Sequence, residues 1–153
     1  MTISLEPIGT VIGGRQEAID DDWGAERAVI ALDEGRFKPE AAAGLDAFSH
    51  IEVIFHFHQV AEDKVQFAAR HPRGNTDWPK IGIFAQRGKA RPNRIGVTVC
   101  RLISVEGTRI EVEGLDAIDG TPVLDIKPYM RDFAPRGAVR EPEWAGELMA
   151  GYW

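Results

Sequence analysis

An antiparallel sheet closed or nearly closed into a barrel is the fold this sequence predicts, with one or two short helices beside it. Three observations carry that expectation. Apolar and β-branched residues alternate with polar ones in short runs, each run is bounded by Gly, Pro, Asp or Asn, and little helix-forming sequence separates them. The first run is "ISLEPIGTVI" and the second "ERAVIALDE", both with the two-residue period of a half-buried strand. "FKPEAAAGLDAF" is the best helix candidate, because Pro39 suits a first helical position, the alanines favour helix and Gly44 can end it. Strand-like runs then resume with "HIEVIFHFHQV", "VQFAAR", "IGIFAQR", "IGVTVCRLISVEG", "TRIEVEGLDAI" and "PVLDIKPYM". Within "VCRLISVEGTRIEVEGL" a hairpin is expected, turning at Glu106-Gly107-Thr108. After Pro135 the sequence becomes a tail rich in prolines, aromatics and acids, with a short helix expected in "EPEWAGELMAGYW".

Composition sets the frame for these elements. At 153 residues and 44% hydrophobic content the chain has the size and the apolar material for one domain with its own core. Cys100 is the single cysteine and sits in the apolar run "IGVTVCRL", where a buried free thiol is expected. The start "MTISLEPIGTV" lacks a basic stretch followed by an apolar one, and no window approaches the roughly 20 apolar residues of a membrane span. A cytoplasmic protein is the expectation. The net charge of −6 conceals an asymmetry: Arg70 to Arg101 holds eight basic residues against Asp77 alone, a local +7, and the remainder carries −13. A basic segment on an acidic body suits a locally bound anionic partner, although a solvated basic loop would have the same composition.

Three regions offer chemistry. In "HIEVIFHFH" the residues His50, Glu52, His56 and His58 share one face of an extended strand, with Ile54 interrupting the polar row. At ~3.3 Å per residue His50 stands about 20 Å from His56, so only His56 and His58 could share a metal ion. A polar or ligand-facing strand and hydrogen-bonded structural histidines are the other readings. "HPRGNTDWPKIGIFAQRGKARPNRIG" concentrates arginines on short, proline-stiffened segments, where guanidinium forks match carboxylate and phosphate oxygens. Within it Asn93 offers both a donor and an acceptor, suited to a base edge or a substrate amide. "LDAIDGTPVLDIKPY" places Asp116 and Asp119 before a Gly-Thr-Pro turn, and Asp125 and Lys127 after it. Asp125 and Lys127 lie two apart on one strand face, so they can meet a common ligand or each other. No phosphate-cradling glycine loop, dinucleotide-binding turn or nucleophile elbow is present.

Taken together, "AFSHIEVIFHFHQ", "HPRGN", "IGIFAQRGKARPNRIGVTVCRL" and "VEGLDAIDGTPVLDIKPYM" resemble the TrmO-type family of S-adenosylmethionine-dependent tRNA methyltransferases, over roughly Ile8 to Met130. The resemblance implies an all-β barrel that works as a homodimer with its cofactor site near the subunit interface. The implied reaction is N6-methylation of threonylcarbamoyl-adenosine beside the anticodon of threonine tRNA, releasing S-adenosylhomocysteine. Carried over by motif, the cofactor S-adenosyl-L-methionine would be met by His58 and Gln59 in "HFHQ", Arg87 in "FAQR", Ile95 in "RPNRIG", and Asp116, Ala117, Ile118 and Asp119 in "LDAIDGT". Arg73, Lys89, Arg91 and Arg94 would face tRNA, and no metal is implied. The expected organisation is a barrel domain over residues 1–135 and a tail over 136–153, without the additional C-terminal domain of longer bacterial members. "DDWGAERA" departs from the usual glutamine- or proline-containing entry to the second strand, and the resemblance assigns no role to Asp22, Trp23 or Gly24.

Methyl transfer from a sulfonium is mainly a problem of positioning an in-line nucleophile, so no covalent enzyme intermediate is expected. Acidic Asp116 and Asp119 suit ribose hydroxyls, an adenine amino group and a positive sulfonium. Asn93 and Lys127 are candidates for orienting the threonylcarbamoyl group, and Asp125, a histidine of the strand or solvent for taking the proton from nitrogen. Two other functions fit the same residues: a methyltransferase of this scaffold acting on another substrate, and a non-catalytic module that binds tRNA or an adenosine ligand.

Overall fold

The structure, a computed structural model, describes residues 1–153. Six strands close into an antiparallel barrel: β1 (Gly9–Ile12), β2 (Arg27–Leu32), β3 (His50–His56), β6 (Ile95–Glu106), β7 (Arg109–Glu113) and β8 (Pro122–Pro128), in the order β1-β2-β7-β6-β3-β8. The remaining strands, β4 (Ala69–Arg70) and β5 (Ile81–Gly82), form a two-residue ladder outside the barrel.

Period-two alternation decides what faces inward. Ile51, Val53 and Phe55 of β3 are buried, as are Ile30 of β2, Ile110 and Val112 of β7, Val11 of β1 and Val123 of β8. These residues belong to one apolar cluster that also takes in Cys100, Leu115 and Ala117. Each large side chain of this kind stabilises the fold by roughly 1.5–3 kcal/mol when removed from water. The polar alternates of β3 stay on the outer face.

The 12-residue β6 carries the closure. Its first half pairs with β3 from Ile95 to Arg101, and its second half with β7 from Arg101 to Glu106. A bulge between Leu102 and Ser104 bends the strand where it changes partner. The expected hairpin follows, with Gly107 and Thr108 between the two strands.

Several expectations are corrected: the runs "ISLEPIGTVI", "HIEVIFHFHQV" and "TRIEVEGLDAI" are strand only over Gly9–Ile12, His50–His56 and Arg109–Glu113, because the chain leaves the sheet where its backbone bonds go to turns and loops. The segment read as a helix from Pro39 is instead a pair of 3₁₀ turns, Pro39–Ala42 and Leu45–Ala47, divided by Gly44 at φ 86°. No side chain caps its start, and only Ala42 is buried, so neither a cap nor an apolar face offsets the cost of nucleating an α-helix. "VQFAAR" and "IGIFAQR" yield only the short β4–β5 ladder, because buried Gln86 donates its amide to Arg70 O at 3.1 Å and Ile81 O at 3.0 Å, clasping the loop by a side chain. The expected terminal helix is present as α1 (Glu143–Met149). No helix is long and apolar enough to cross a membrane.

Gly96 shows how tightly the barrel is packed. A Cβ there would lie 2.6 Å from the Phe55 ring and 2.8 Å from that of Phe57, so the glycine of "RPNRIG" lets both rings lie against β6. Gly96→Ala is expected to destabilise the fold by about 1–3 kcal/mol through overpacking, read as a lower midpoint in urea unfolding with unchanged slope.

Candidate functional site

The site is built on the turn between β7 and β8. After Glu113 ends β7, Leu115, Ala117 and Ile118 turn into the core, and the two aspartates between and after them are left to meet polar partners. Asp116 accepts from the Thr98 hydroxyl on Oδ1 and from the Tyr152 hydroxyl on Oδ2. Asp119 accepts from the Gly13 N–H at 2.8 Å, and its own N–H donates to Arg15 O at 2.8 Å. Gly120 N–H donates to Val11 O at 2.8 Å, which fastens the turn to β1. The turn is therefore bound on one side to the barrel and on the other to the β1–β2 connection.

The buried environment around Asp116 is electrically distinctive. Burial and then the Asp116 carboxylate push the Cys100 thiol up to about 12. The same two causes, in that order, raise the Tyr152 phenol, so it stays protonated and donates to the carboxylate.

The β1–β2 connection forms the wall beside this turn. Arg15 donates to Asp21 O and Asp22 O, each at 2.7 Å, and its guanidinium lies 4.0 Å from the centre of the buried Trp23 ring. Asp22 N–H and Trp23 N–H donate to Gly151 O and Tyr152 O at 3.0 and 2.8 Å. The segment left without a role by motif comparison is thus the dock for residues 151–153. Arg73 is drawn to this wall as well, pairing with Asp21 at 3.0 Å.

His58 joins the site from β3. The strand ends at His56, and the His58 N–H bonds back to His56 O at 2.8 Å, which turns His58 off the strand row on which sequence alternation places it. Its Nε2 lies 3.8 Å from where a Cβ on Gly120 would be, beside the aspartate turn. Burial, then the positive charges of Arg94 and His58, hold His56 below the ordinary histidine value. No group of three or more His, Cys, Asp or Glu side chains is arranged to hold a metal ion.

The basic segment lies next to this end of β3, since Phe57 N–H donates to Arg94 O at 2.8 Å. Its arginines are anchored on backbone carbonyls: Arg87 on Val97 O, Arg91 on Gln86 O and Arg94 on Val60 O, each at 2.7 Å. Lys89 and Gln59 are exposed, and Ile95 is 38% exposed at the start of β6. Asn93 and Arg94 line an open cleft of about 330 Å³ with Glu62, Val65, Phe67 and Pro92.

The structure therefore brings Asp116, Ala117, Ile118, Asp119 and His58 together, with Arg73 close by, and sets Asn93 and Arg94 in a neighbouring cleft. Asp125 and Lys127 are placed elsewhere. Their cross-strand partners are Ile54 and Glu52, on the outer face of the sheet, and they pair with each other at 3.2 Å. Sequence reasoning missed Thr98, Gln86, Arg15 and Tyr152. The alternation of "IGVTVC" carries a signal for Thr98, which falls on the inward row. Nothing local to Tyr152 points to a partner 36 residues away.

Comparison with known proteins gives a consistent result. The family model for the tRNA-methyltransferase O N-terminal domain matches residues 16–134. A Pseudomonas aeruginosa protein named as the putative S-adenosylmethionine-dependent methyltransferase RcsF is 48% identical over 60% of this chain and 39% of its own length. The Escherichia coli tRNA (adenine(37)-N6)-methyltransferase is 41% identical over 60% of this chain and 40% of its own. A probable S-adenosyl-L-methionine-binding protein of Pyrococcus abyssi is 36% identical over 92% of this chain and 75% of its own. The chain thus spans about two fifths of the length of these two bacterial relatives. The crystal structure of TrmO from Pseudomonas aeruginosa superposes with a TM-score of 0.73 at 33% identity, over 92% of this chain and 62% of that one.

The shift of Cys100 gives a direct check. With its thiol titrating at about 12, the native thiolate fraction at pH 8 is on the order of one in ten thousand. A disulfide reagent is expected to leave the folded chain unmodified at pH 8 and to label it once in urea. Because the folded value lies above the ordinary 9.0, the unfolded chain loses this proton first. The thiol's contribution to stability is therefore intact below pH ~9 and lost as pH rises toward 12.

Proposed function

This chain belongs to the tRNA-methyltransferase O family, and from that premise we propose that it uses S-adenosyl-L-methionine to methylate N6 of the adenosine beside the anticodon of tRNA. The observation that carries the reading is the aspartate turn of the family motif. It places Asp116 and Asp119 at one end of the barrel with His58 alongside, and Asp119 Oδ2 has no partner within the chain.

These residues fit the cofactor's chemistry. A carboxylate has about four lone-pair directions, so Asp116 with one donor on each oxygen still has capacity for hydroxyl or amino donors. Asp116 and Asp119 would hold the ribose and adenine, and their negative charge would offset a sulfonium. Ala117 and Ile118, buried behind them, keep the turn rigid. His58 and Gln59, at the end of β3, and Arg87 and Ile95, beside the start of β6, would complete the binding wall. When bound, S-adenosyl-L-methionine supplies an electrophilic methyl group.

The substrate side follows from the charge asymmetry. Lys89, Arg91 and Arg94 would meet RNA phosphates, the two arginines held ready by their carbonyl contacts. Arg73 would act at the rim of the aspartate site, where Asp21 already holds it. Asn93 would orient the threonylcarbamoyl group on the target nucleoside. Asp125 and Lys127 form an ion pair on the outer face, so their part in the reaction requires that face to turn toward RNA or a second subunit. The working unit we propose is a cytoplasmic homodimer with the cofactor site near the interface.

The test is nucleoside mass spectrometry after incubating the purified protein with S-adenosyl-L-methionine and tRNA bearing threonylcarbamoyl-adenosine. The expected result is one methyl on that nucleoside and an equal amount of S-adenosylhomocysteine. Unmethylated nucleoside beside intact cofactor binding would point to another substrate, and no cofactor binding at all would leave a plain RNA binder. In the same preparation log affinity for tRNA should fall with log salt by about 0.7–0.9 per phosphate contact.

A further inference from the structure

Residues 151–153 lie outside the region matched by the family model, yet they reach back to one of its motif residues. Thr98 holds only the Oδ1 side of Asp116, and the terminal torsion of an aspartate is soft, so this single bond leaves the carboxylate plane free to tilt. The Tyr152 hydroxyl takes the other oxygen. We propose that Tyr152 is a positioning residue of the cofactor site, fixing the Asp116 carboxylate from the solvent side as Thr98 fixes it from the barrel, so that one acceptor direction on each oxygen is presented to a pair of ligand hydroxyls.

The segment that delivers the phenol is docked rather than loose. Asp22 and Trp23 donate their N–H groups to Gly151 and Tyr152, and the Tyr152 and Trp153 rings meet edge to face with centroids 4.8 Å apart. A Cβ on Gly24 would lie 2.7 Å from the Trp153 carbonyl carbon, so the glycine of "DDWGAERA" is what lets this backbone come so close. Before the segment, α1 is tied to the body by Trp78 Nε1, which donates to Glu147 Oε2 at 2.7 Å. Two anchors therefore set the position of the phenol, and Arg73, paired with Asp21, adds a cation at the same rim. A hydroxyl held this way narrows the range of Asp116 orientations before a ligand arrives, which lowers the ordering cost of binding.

The inference rests on the proposed cofactor reading and is tested by calorimetry with S-adenosylhomocysteine. Tyr152→Phe keeps the ring and its packing, so the chain should still fold cooperatively, with a melting temperature lowered only by the loss of one hydrogen bond. Its affinity for S-adenosylhomocysteine is expected to fall about tenfold, because an Asp116 carboxylate free to tilt must be ordered when the ligand binds. In turnover assays KM for the cofactor should rise by the same factor with kcat nearly unchanged. In an Asp116→Asn background the Tyr152→Phe change should produce no further loss, because the phenol acts through that carboxylate. Gly24→Ala, which displaces the docked segment without touching the hydroxyl, should reproduce the loss. Unchanged affinity in Tyr152→Phe, or the same tenfold loss in the Asp116→Asn background, overturns the positioning role. Tighter binding overturns it too, since the phenol would then compete with the ligand for Asp116. A parent chain that binds no S-adenosylhomocysteine removes the cofactor reading itself, and Tyr152's role with it.

Discussion

Closing six strands into a barrel requires a seam, and the seam between β1 and β8 constrains everything around it. Only Gly9 with Val123 and Thr10 with Pro122 pair there as strand residues. The closure is extended by bonds from Ile8 N–H to Val123 O, Val11 N–H to Thr121 O and Gly120 N–H to Val11 O, each at 2.8–2.9 Å. The segment from Leu115 to Thr121 thus finishes the sheet hydrogen bonding, fills the barrel end with Leu115, Ala117 and Ile118, and carries the two aspartates. Stability and the proposed cofactor contacts are combined in one turn. A substitution that loosened the seam would displace the aspartates, and a substitution of the aspartates would release Thr98 on β6, Gly13 in the β1–β2 connection and Tyr152.

Charge is organised on the same plan. The barrel body is acidic and its ion pairs, such as Arg27 with Glu113 at 2.9 Å and Arg101 with Glu113 at 3.3 Å, lie at the exposed surface, where solvent screens them and they add little to stability. In the basic segment Arg87, Arg91 and Arg94 each take a backbone carbonyl oxygen, while Arg73 pairs with Asp21. A carbonyl fixes the direction of a guanidinium without cancelling its charge, so Arg87 and Arg91 keep a positive field at the rim while their side chains are ordered, whereas Arg94 also meets the exposed Glu62 carboxylate at 3.9 Å. An ion pair in the same place would have held the side chain but neutralised the field.

How much of this was legible in the sequence follows the range of the interactions. Strand alternation is local, so β2, β6 and β8 could be read with nearly correct limits, and the Gly107 turn with them, whereas β3 stops at His56 and β7 at Glu113, short of the runs that continue to Val60 and Ile118. The alanine-rich stretch failed because propensity is weak evidence without a continuous buried face, and in that stretch only Ala42 is fully buried while Phe37 and Leu45 are packed against the core in part. The row of histidines failed at one residue: a turn at Phe57 takes His58 off the alternation and delivers it to Gly120. Asp125 and Lys127 were left between two readings, and the register with Ile54 and Glu52 puts them in contact with each other. The motif resemblance directed attention to the aspartate turn but was silent about residues 22–24. Their purpose depends on residues 151–153, and a long-range pairing of two irregular segments leaves no periodic mark.

The distribution of backbone strain supports the same division of labour. Four non-glycine residues adopt left-handed φ: Asp22 at 65°, Arg73 at 52°, Asn93 at 64° and Arg94 at 52°. None lies within a barrel strand; each is in a loop that borders the aspartate turn or the adjoining cleft. Aspartate and asparagine tolerate this region, whereas for arginine it is uncommon and must be offset by what the conformation makes possible. For Arg73 that is the pair with Asp21 on the docking wall, and for Arg94 it is the bond to Val60 O together with the backbone bond from Phe57. The barrel absorbs no strain of this kind and serves as the rigid frame. The loops at its rim are held in less favourable conformations by specific polar contacts, which is the arrangement expected where side-chain direction matters more than local comfort.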